Sequence, residues 1–228
     1  MFAWMAPAVV VAMTVQAGSP GVIESAHSAK DIDLVADPTT ADWRDAPRVT
    51  IDLDYFGKPV AGPPTEVRSR WTNTHLYLLY ICKYDTLNLK PNPDTVNETP
   101  RLWNWDVGEA FIGWDFNRIT SYKELQVSPQ GEWVDLDIDR ENPKTQQGMA
   151  WNSGYTVRAR IDAASKTWFG LMKIPFSAID TRTPEKGREL RIGLYRIAGT
   201  DQKVHYAWRP TGEPNFHVPK AFGILRLR

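Results

Sequence analysis

Gly154-Tyr155-Thr156-Val157-Arg158-Ala159-Arg160-Ile161 alternates apolar and polar side chains. In an extended chain Tyr155, Val157, Ala159 and Ile161 share one face, and Thr156, Arg158 and Arg160 share the other, so this is a strand with one wet face. Thr74 to Lys83, containing Leu76-Tyr77-Leu78-Leu79-Tyr80-Ile81-Cys82, is apolar on both faces, as a strand buried between neighbours must be. Further strands are predicted at 47 to 53, 65 to 71, 107 to 116, 120 to 127, 167 to 174, 189 to 197, 203 to 208 and 222 to 228. Turn signals separate them, among them Gly57-Lys58-Pro59, Pro91-Asn92-Pro93-Asp94, Ser128-Pro129-Gln130-Gly131 and Pro184-Glu185-Lys186-Gly187. No dozen residues hold a 3.6 period, and 17 Pro and 15 Gly punctuate the chain, which confines helix to short turns such as Pro175 to Ile179. The fold class expected is all-β, a two-sheet antiparallel β-sandwich of jelly-roll type with little helix. Leu76, Leu78, Tyr80, Val157, Ile161, Leu171, Ile192 and Leu194 are its expected core.

The 228 residues fit a single domain with one core, and neither a repeat nor a second domain is visible. With 27 Lys plus Arg against 27 Asp plus Glu and no basic run, the chain offers no electrostatic footprint for nucleic acid. Met1-Phe2-Ala3-Trp4-Met5-Ala6-Pro7 and the apolar run Ala8 to Met13 have signal-peptide length, and Val15-Gln16-Ala17 supplies a cleavage pattern. The domain assignment that follows is a signal peptide at 1–17, a linker at 18–30 and the folded domain at 31–228. The protein is then exported to a periplasmic or extracellular location, with no transmembrane segment in the mature chain. The one cysteine, Cys82, excludes an internal disulfide and reads as a buried strand thiol. Asp135-Leu136-Asp137-Ile138-Asp139 puts alternate carboxylates on one face, which suits a solvated strand face or, less readily, a structural calcium.

Ten Trp, eight Tyr and eight Phe are an unusual aromatic content; a β core accounts for most of them and leaves a few for a ligand, and an aromatic face packs well on the C–H face of a pyranose. The long turn-rich stretches 85 to 102 and 138 to 153 are places for a site, and the first leads straight into Trp103.

Leu102-Trp103-Asn104-Trp105-Asp106-Val107-Gly108-Glu109-Ala110-Phe111-Ile112 resembles the Trp-x-x-Asp-x-x-Glu-x-Phe signature of family 9 carbohydrate-binding modules. Trp71-Thr72-Asn73-Thr74-His75-Leu76-Tyr77-Leu78 and Lys83-Tyr84-Asp85 upstream are similar to that family in the same order. So are Tyr122 to Pro129, Ile174-Pro175-Phe176 and Asn215 to Leu225 downstream, so the likeness spans about 32 to 228. The resemblance implies a β-sandwich that holds a sugar, often at a chain end, between two aromatic side chains, with acidic and amide groups on its hydroxyls. It makes Trp103 the first aromatic and Phe216 the second, where Trp is usual. It makes Glu109 a hydroxyl acceptor, with Asp85 a looser match. Gln126 and His217 each stand where the family carries Arg, and Tyr195 stands near an Asn position. The ligand-binding set is therefore Trp103, Phe216, Glu109, Asp85, His217 and Gln126, the partner a mono- or oligosaccharide, and the role non-catalytic, accessory to polysaccharide breakdown.

Each of these residues has a structural alternative. Glu109 would share a strand face with Phe111, where a carboxylate is costly unless paired, and Arg196 or Arg101 would be its structural partner. Asp106 and Glu109, three apart, point to opposite faces of an extended strand, so they cannot converge as the two carboxylates of a glycosidase must unless the strand starts after Asp106. Two further functions stay open: a glycoside hydrolase or its subunit, requiring two convergent carboxylates, and a haem module, requiring His205 or His217 with Met149 or Met172. Export itself is checked by intact-mass spectrometry of protein made in its native host. The expected mature N-terminus lies at or near Gly18, and an intact Met1 contradicts the signal-peptide reading.

Overall fold

A computed structural model describes residues 21–142, 150–200 and 202–228, so the proposed signal peptide lies outside the described residues. Among the described residues, twelve strands join into one large, nearly closed sheet. They are β1 (Val22–His27), β2 (Arg48–Ile51), β3 (Thr65–Trp71), β4 (His75–Lys83), β5 (Val107–Gly113), β6 (Ser121–Val127), β7 (Trp133–Asp139), β8 (Thr156–Asp162), β9 (Thr167–Pro175), β10 (Glu189–Ala198), β11 (Val204–Ala207) and β12 (Gly223–Leu227). Their order is β7-β6-β5-β10-β12-β1-β3-β4-β9-β8, with β11 beside β10 and β2 beside β3. Among the described residues helix is limited to the single turns α1 (Ala41–Arg44) and α2 (Phe176–Ile179) and to 3-10 turns, as the punctuation of the sequence implies.

The segment expected as a linker holds β1, which joins the two halves of the sheet order. Val22 to Ser25 pair with Ile224 to Leu227 of β12, and Ala26 and His27 then pair with Arg70 and Trp71 of β3. Both ladders are parallel, which corrects the all-antiparallel expectation. A parallel pair needs a long crossover connection, and residues 28–64 supply it between β1 and β3. Small residues made 18–30 read as flexible. Their smallness instead lets β1 sit where the sheet folds over: Ile23 and Ser25 are buried, and Ser69 Oγ donates to Ser25 Oγ at 2.8 Å.

The main core draws Ile23, Leu76, Leu78, Tyr80, Ala110, Ile112, Leu125, Val127, Met172, Ile192 and Leu194 from both arms of the sheet, which therefore face one another. The opposite face of β4 and β9 carries Tyr77, Leu79, Phe169 and Leu171, and residues 32–46 with Trp43 of α1 cover it. That cover is why β4 is apolar on both sides. Of the expected core residues, Val157 is only partly buried and Ile161 is 37% exposed. Both lie on β8, which ends the sheet and has only β9 to pack beside. Cys82 is buried, and burial pushes its thiol up to about 12.

The outer face of β5, β6, β7 and β10 carries a second apolar layer of Phe111, Tyr122, Val134, Leu136, Ile138, Tyr195, Ile197, Phe216 and Phe222. Among the described residues no long segment covers this layer as 32–46 covers β4.

Because β1 is part of the sheet, Ile23→Ala should cost about 2–5 kcal/mol in urea unfolding, as deleting a buried Ile side chain does. Lys30→Ala, on an exposed side chain, should stay within about 0.5 kcal/mol. If Ile23→Ala is equally neutral, β1 is not structural.

Candidate functional site

A cavity of ≈ 420 Å³ opens on this outer layer. Its lining includes Tyr55, Trp103, Glu109, Phe111, Glu124, Arg140, His205, Phe216 and His217. The structure thus brings Trp103, Glu109, Phe216 and His217 around one space from two distant stretches of chain. Gln126 lies beneath the cavity and holds its floor. Asp85 is elsewhere: it is exposed, and its charge is felt by Tyr206, which packs into the inner core.

The floor follows from strand register. Glu109 on β5 stands opposite Gln126 on β6, and Glu124 is two residues along β6, so the three side chains share the outer face. Gln126 Nε2 donates to Glu109 Oε1 at 2.8 Å and to Glu124 Oε1 at 2.6 Å. Both carboxyls are almost fully enclosed, at 2% and 3% exposure, and Oε2 of each has no hydrogen-bond partner among the described residues. Burial raises the Glu109 carboxyl well above its ordinary range, and the charge of Glu124 raises it further. Burial also lifts Glu124 to about 7, against the pull of the Gln126 hydrogen bond. Glu124 was not foreseen from the sequence, although its alternation with Tyr122 and Gln126 was there to be read once the face was known.

Glu109 is held in place from the facing arm. Gly108 leaves room for the Tyr80 ring, whose Cδ1 would lie 2.8 Å from an added Cβ, and Tyr80 OH donates to the Glu109 carbonyl at 2.6 Å. The structural partners expected for Glu109 are not used. Arg196 is on the other face of β10, where it donates to Thr65 Oγ1 at 3.0 Å and to the Lys83 carbonyl at 2.8 Å. Asp106, just ahead of β5, accepts from the Gly199 amide at 2.9 Å and does not reach the cavity.

The walls are aromatic. Gly193 lets the Tyr195 ring lie flat on the sheet, since a Cβ there would be 2.6 Å from the ring. Phe216 stacks on Tyr195 with centroids 4.1 Å apart and planes at 14°. Phe216 is therefore a buried wall with one face covered. Trp103, in a 3-10 turn at Leu102–Asn104, is only partly buried, and its carbonyl accepts from Lys203 Nζ at 3.0 Å. Tyr55 and His205 were missed by the sequence reading. They stack at 5.0 Å, and Tyr55 meets Phe216 at 4.8 Å. Tyr55 reaches the site from a turn that Asp54 closes by accepting from the amides of Phe56 and Lys58.

His217 shares a hydrogen bond with Tyr122, Nδ1 to OH at 2.8 Å, and burial, then the charge of Arg140, holds it down to about 4. It is neutral at pH 7, so its 3.9 Å approach to Glu124 is not an ion pair. A haem site using Met172 is not assembled, because Met172 is in the inner core and the histidines are on the outer face. Met149 lies outside the described residues. The aspartates considered for calcium have protein partners: Asp135 accepts from Ser153, Asp137 pairs with Lys123 at 2.6 Å, and Asp139 pairs with Arg118. Among the described residues no three His, Cys, Asp or Glu side chains form a metal cluster.

Solved structures share this architecture over nearly the whole chain. A family 9 carbohydrate-binding module from Caldicellulosiruptor kristjanssonii in complex with cellotriose aligns with a TM-score of 0.64 at 13% identity, covering 91% of this chain and 93% of the module. This chain has the fold of family 9 carbohydrate-binding modules. A complex of a Caldicellulosiruptor kristjanssonii family 9 module with glucose gives 0.63 at 14% identity, covering 91% and 95% of the two chains. A "putative carbohydrate-binding protein" from Bacteroides uniformis gives 0.68 at 15% identity, covering 92% of this chain and all of that one. By sequence, an "Extracellular protein" of Arthroderma benhamiae is 20% identical over 173 residues, 70% of this chain and 77% of the relative. No protein-family model matches the chain. No helix among the described residues is long and apolar enough to cross a membrane.

The floor carboxyls make stability depend on pH. Glu124 sits at about 7 when folded against 4.5 for an ordinary Glu, so the folded state binds its proton more tightly. The stability it contributes is complete below about pH 4.5 and is lost as pH rises through about 7. Glu124→Gln removes that dependence and relieves the repulsion on Glu109. Its melting temperature relative to wild type should rise steadily between about pH 5 and pH 8. A difference that stays flat across this range refutes the shared buried floor.

Proposed function

We propose that the chain binds carbohydrate without transforming it, seating a pyranose in the cavity between Trp103 and Phe216 with its hydroxyls on the Glu109 and Glu124 carboxyls. The observation that carries this reading is an open cavity with aromatic walls and a buried acidic floor on the outer face of a family 9-like sheet. An apolar wall packs on C–H groups, while fixed polar groups at the floor choose orientation, which is the usual division of labour in a small-ligand site. His217 supplies a group at the side, and Gln126 acts by positioning both carboxyls. We take the curled sheet as the two-sheet sandwich of that family. The extracellular relative and the apolar N-terminal stretch support export, and the likeness to carbohydrate-binding modules supports a role beside enzymes of polysaccharide breakdown.

The Glu109 and Glu124 pair is also what a hydrolytic reading would need, since two carboxyl oxygens lie within the span of two hydrogen bonds. In a glycosidase the pair flanks the scissile bond from either side. Here both rise from one sheet face and are bridged by one amide, which suits a grip on adjacent groups of one sugar.

Trp103→Ala should weaken binding of glucose or cellotriose on the order of 30-fold, the effect of truncating an anchor worth about 2 kcal/mol, with little change in melting temperature. Phe216→Ala, which also removes the stack on Tyr195, should lower both affinity and stability. Calorimetric titration beside thermal unfolding separates the outcomes: affinity unchanged in Trp103→Ala eliminates the clamp.

A further inference from the structure

The floor gathers more acidic groups than a neutral sugar calls for. Both hydrogens of Gln126 Nε2 are spent on the Oε1 atoms, which leaves Oε2 of Glu109 and of Glu124, two residues of the cavity lining, buried and without hydrogen-bond partners among the described residues. A hydroxyl brings one donor and no charge to such a pair, whereas an ammonium brings three donors and a full positive charge. The walls point the same way, because the faces of Trp, Tyr and Phe attract cations.

The surrounding charges leave that role vacant. His217, from the loop before Val218, and His205, from β11, are both held low by burial and are neutral near pH 7. Tyr55, from the turn after β2, keeps its proton, because burial and the Glu109 charge raise it. Arg140, after β7, is an exposed side chain on the cavity lining. Lys203 lowers Glu109 by its charge, but its Nζ is anchored on the Trp103 carbonyl, and Lys203 is not part of the lining. None of the described residues places a cation against the two free oxygens.

We propose that the cavity selects an amino sugar with a free ammonium group, the nitrogen seated on Glu109 and Glu124 and the ring against the aromatic walls. This rests on the reading of the cavity as a sugar site and names the class of sugar. In the empty site, burial and mutual repulsion keep a proton on the pair. A bound ammonium takes over the neutralising role, and the displaced proton passes to the buffer.

Titration calorimetry of the full chain with glucosamine, N-acetylglucosamine and glucose tests this, in buffers of differing ionisation enthalpy. At a pH where the amine is protonated, glucosamine should bind roughly tenfold or more tighter than either neutral sugar and release a proton on binding. The advantage should vanish above the amine's own pKa, a comparison that needs no variant. Glu124→Gln, with its fold checked by circular dichroism, should collapse the ratio between glucosamine and glucose. If glucose or N-acetylglucosamine binds as tightly as glucosamine, or the ratio survives Glu124→Gln, the inference falls while the sugar reading stands. If none of the three binds, both fall.

Discussion

The two parallel ladders of β1 are the constraint from which the rest follows. By pairing first with β12 and then with β3, six residues join the arm that carries the cavity to the arm that closes the core. That join brings Tyr80 over Gly108 and Val127 against Gly170, and so puts one face of β5 and β6 into the interior. Once that face is committed to Ala110, Ile112, Leu125 and Val127, side-chain alternation sends Glu109, Phe111, Glu124 and Gln126 outward together.

The outward face is then shaped by close approach. Gly193 has no Cβ, so Tyr195 lies against the sheet, Phe216 stacks on Tyr195, and Tyr55 and His205 pack beside Phe216. The loop through 213–218 is thus seated on an aromatic platform. A larger residue at 193 would lift the platform and move the wall without touching any residue of the floor.

Burial distinguishes the floor carboxyls from the ion pairs elsewhere. Arg226 with Glu24 and Glu189, or Lys173 with Asp31, lie where solvent reaches them, and pairs of that kind contribute little. Glu109 and Glu124 instead share one neutral amide and keep an unpartnered oxygen each, an arrangement costly in the empty protein. Such a cost marks a place where the fold departs from its own stability optimum, and a ligand with donors recovers it.

The sequence by itself determined most of the strands, because period-two alternation survives in a single chain: β3, β4, β5, β6, β9 and β10 all lie where alternation or apolar runs place them, while β1 and β7 were not among the predicted strands. It also singled out Trp103, Glu109 and Phe216, since the order of the motifs resembles a known family. β1 escaped because a strand of Val-Ile-Glu-Ser-Ala-His has too little apolar content to be told from a linker, and its burial depends on two partners far away in the chain. Glu124 and His205 joined the site only through register, which no local pattern encodes: Glu124 meets Glu109 because β6 pairs with β5 at Gln126, and His205 arrives because β11 pairs with β10 at Ile197. Asp85, adjacent to a matching strand in sequence, is exposed and does not line the cavity. Tertiary structure alone decided which carboxyls share a floor, because that depends on which strands are neighbours and in what register, and pairing energy is summed along whole ladders.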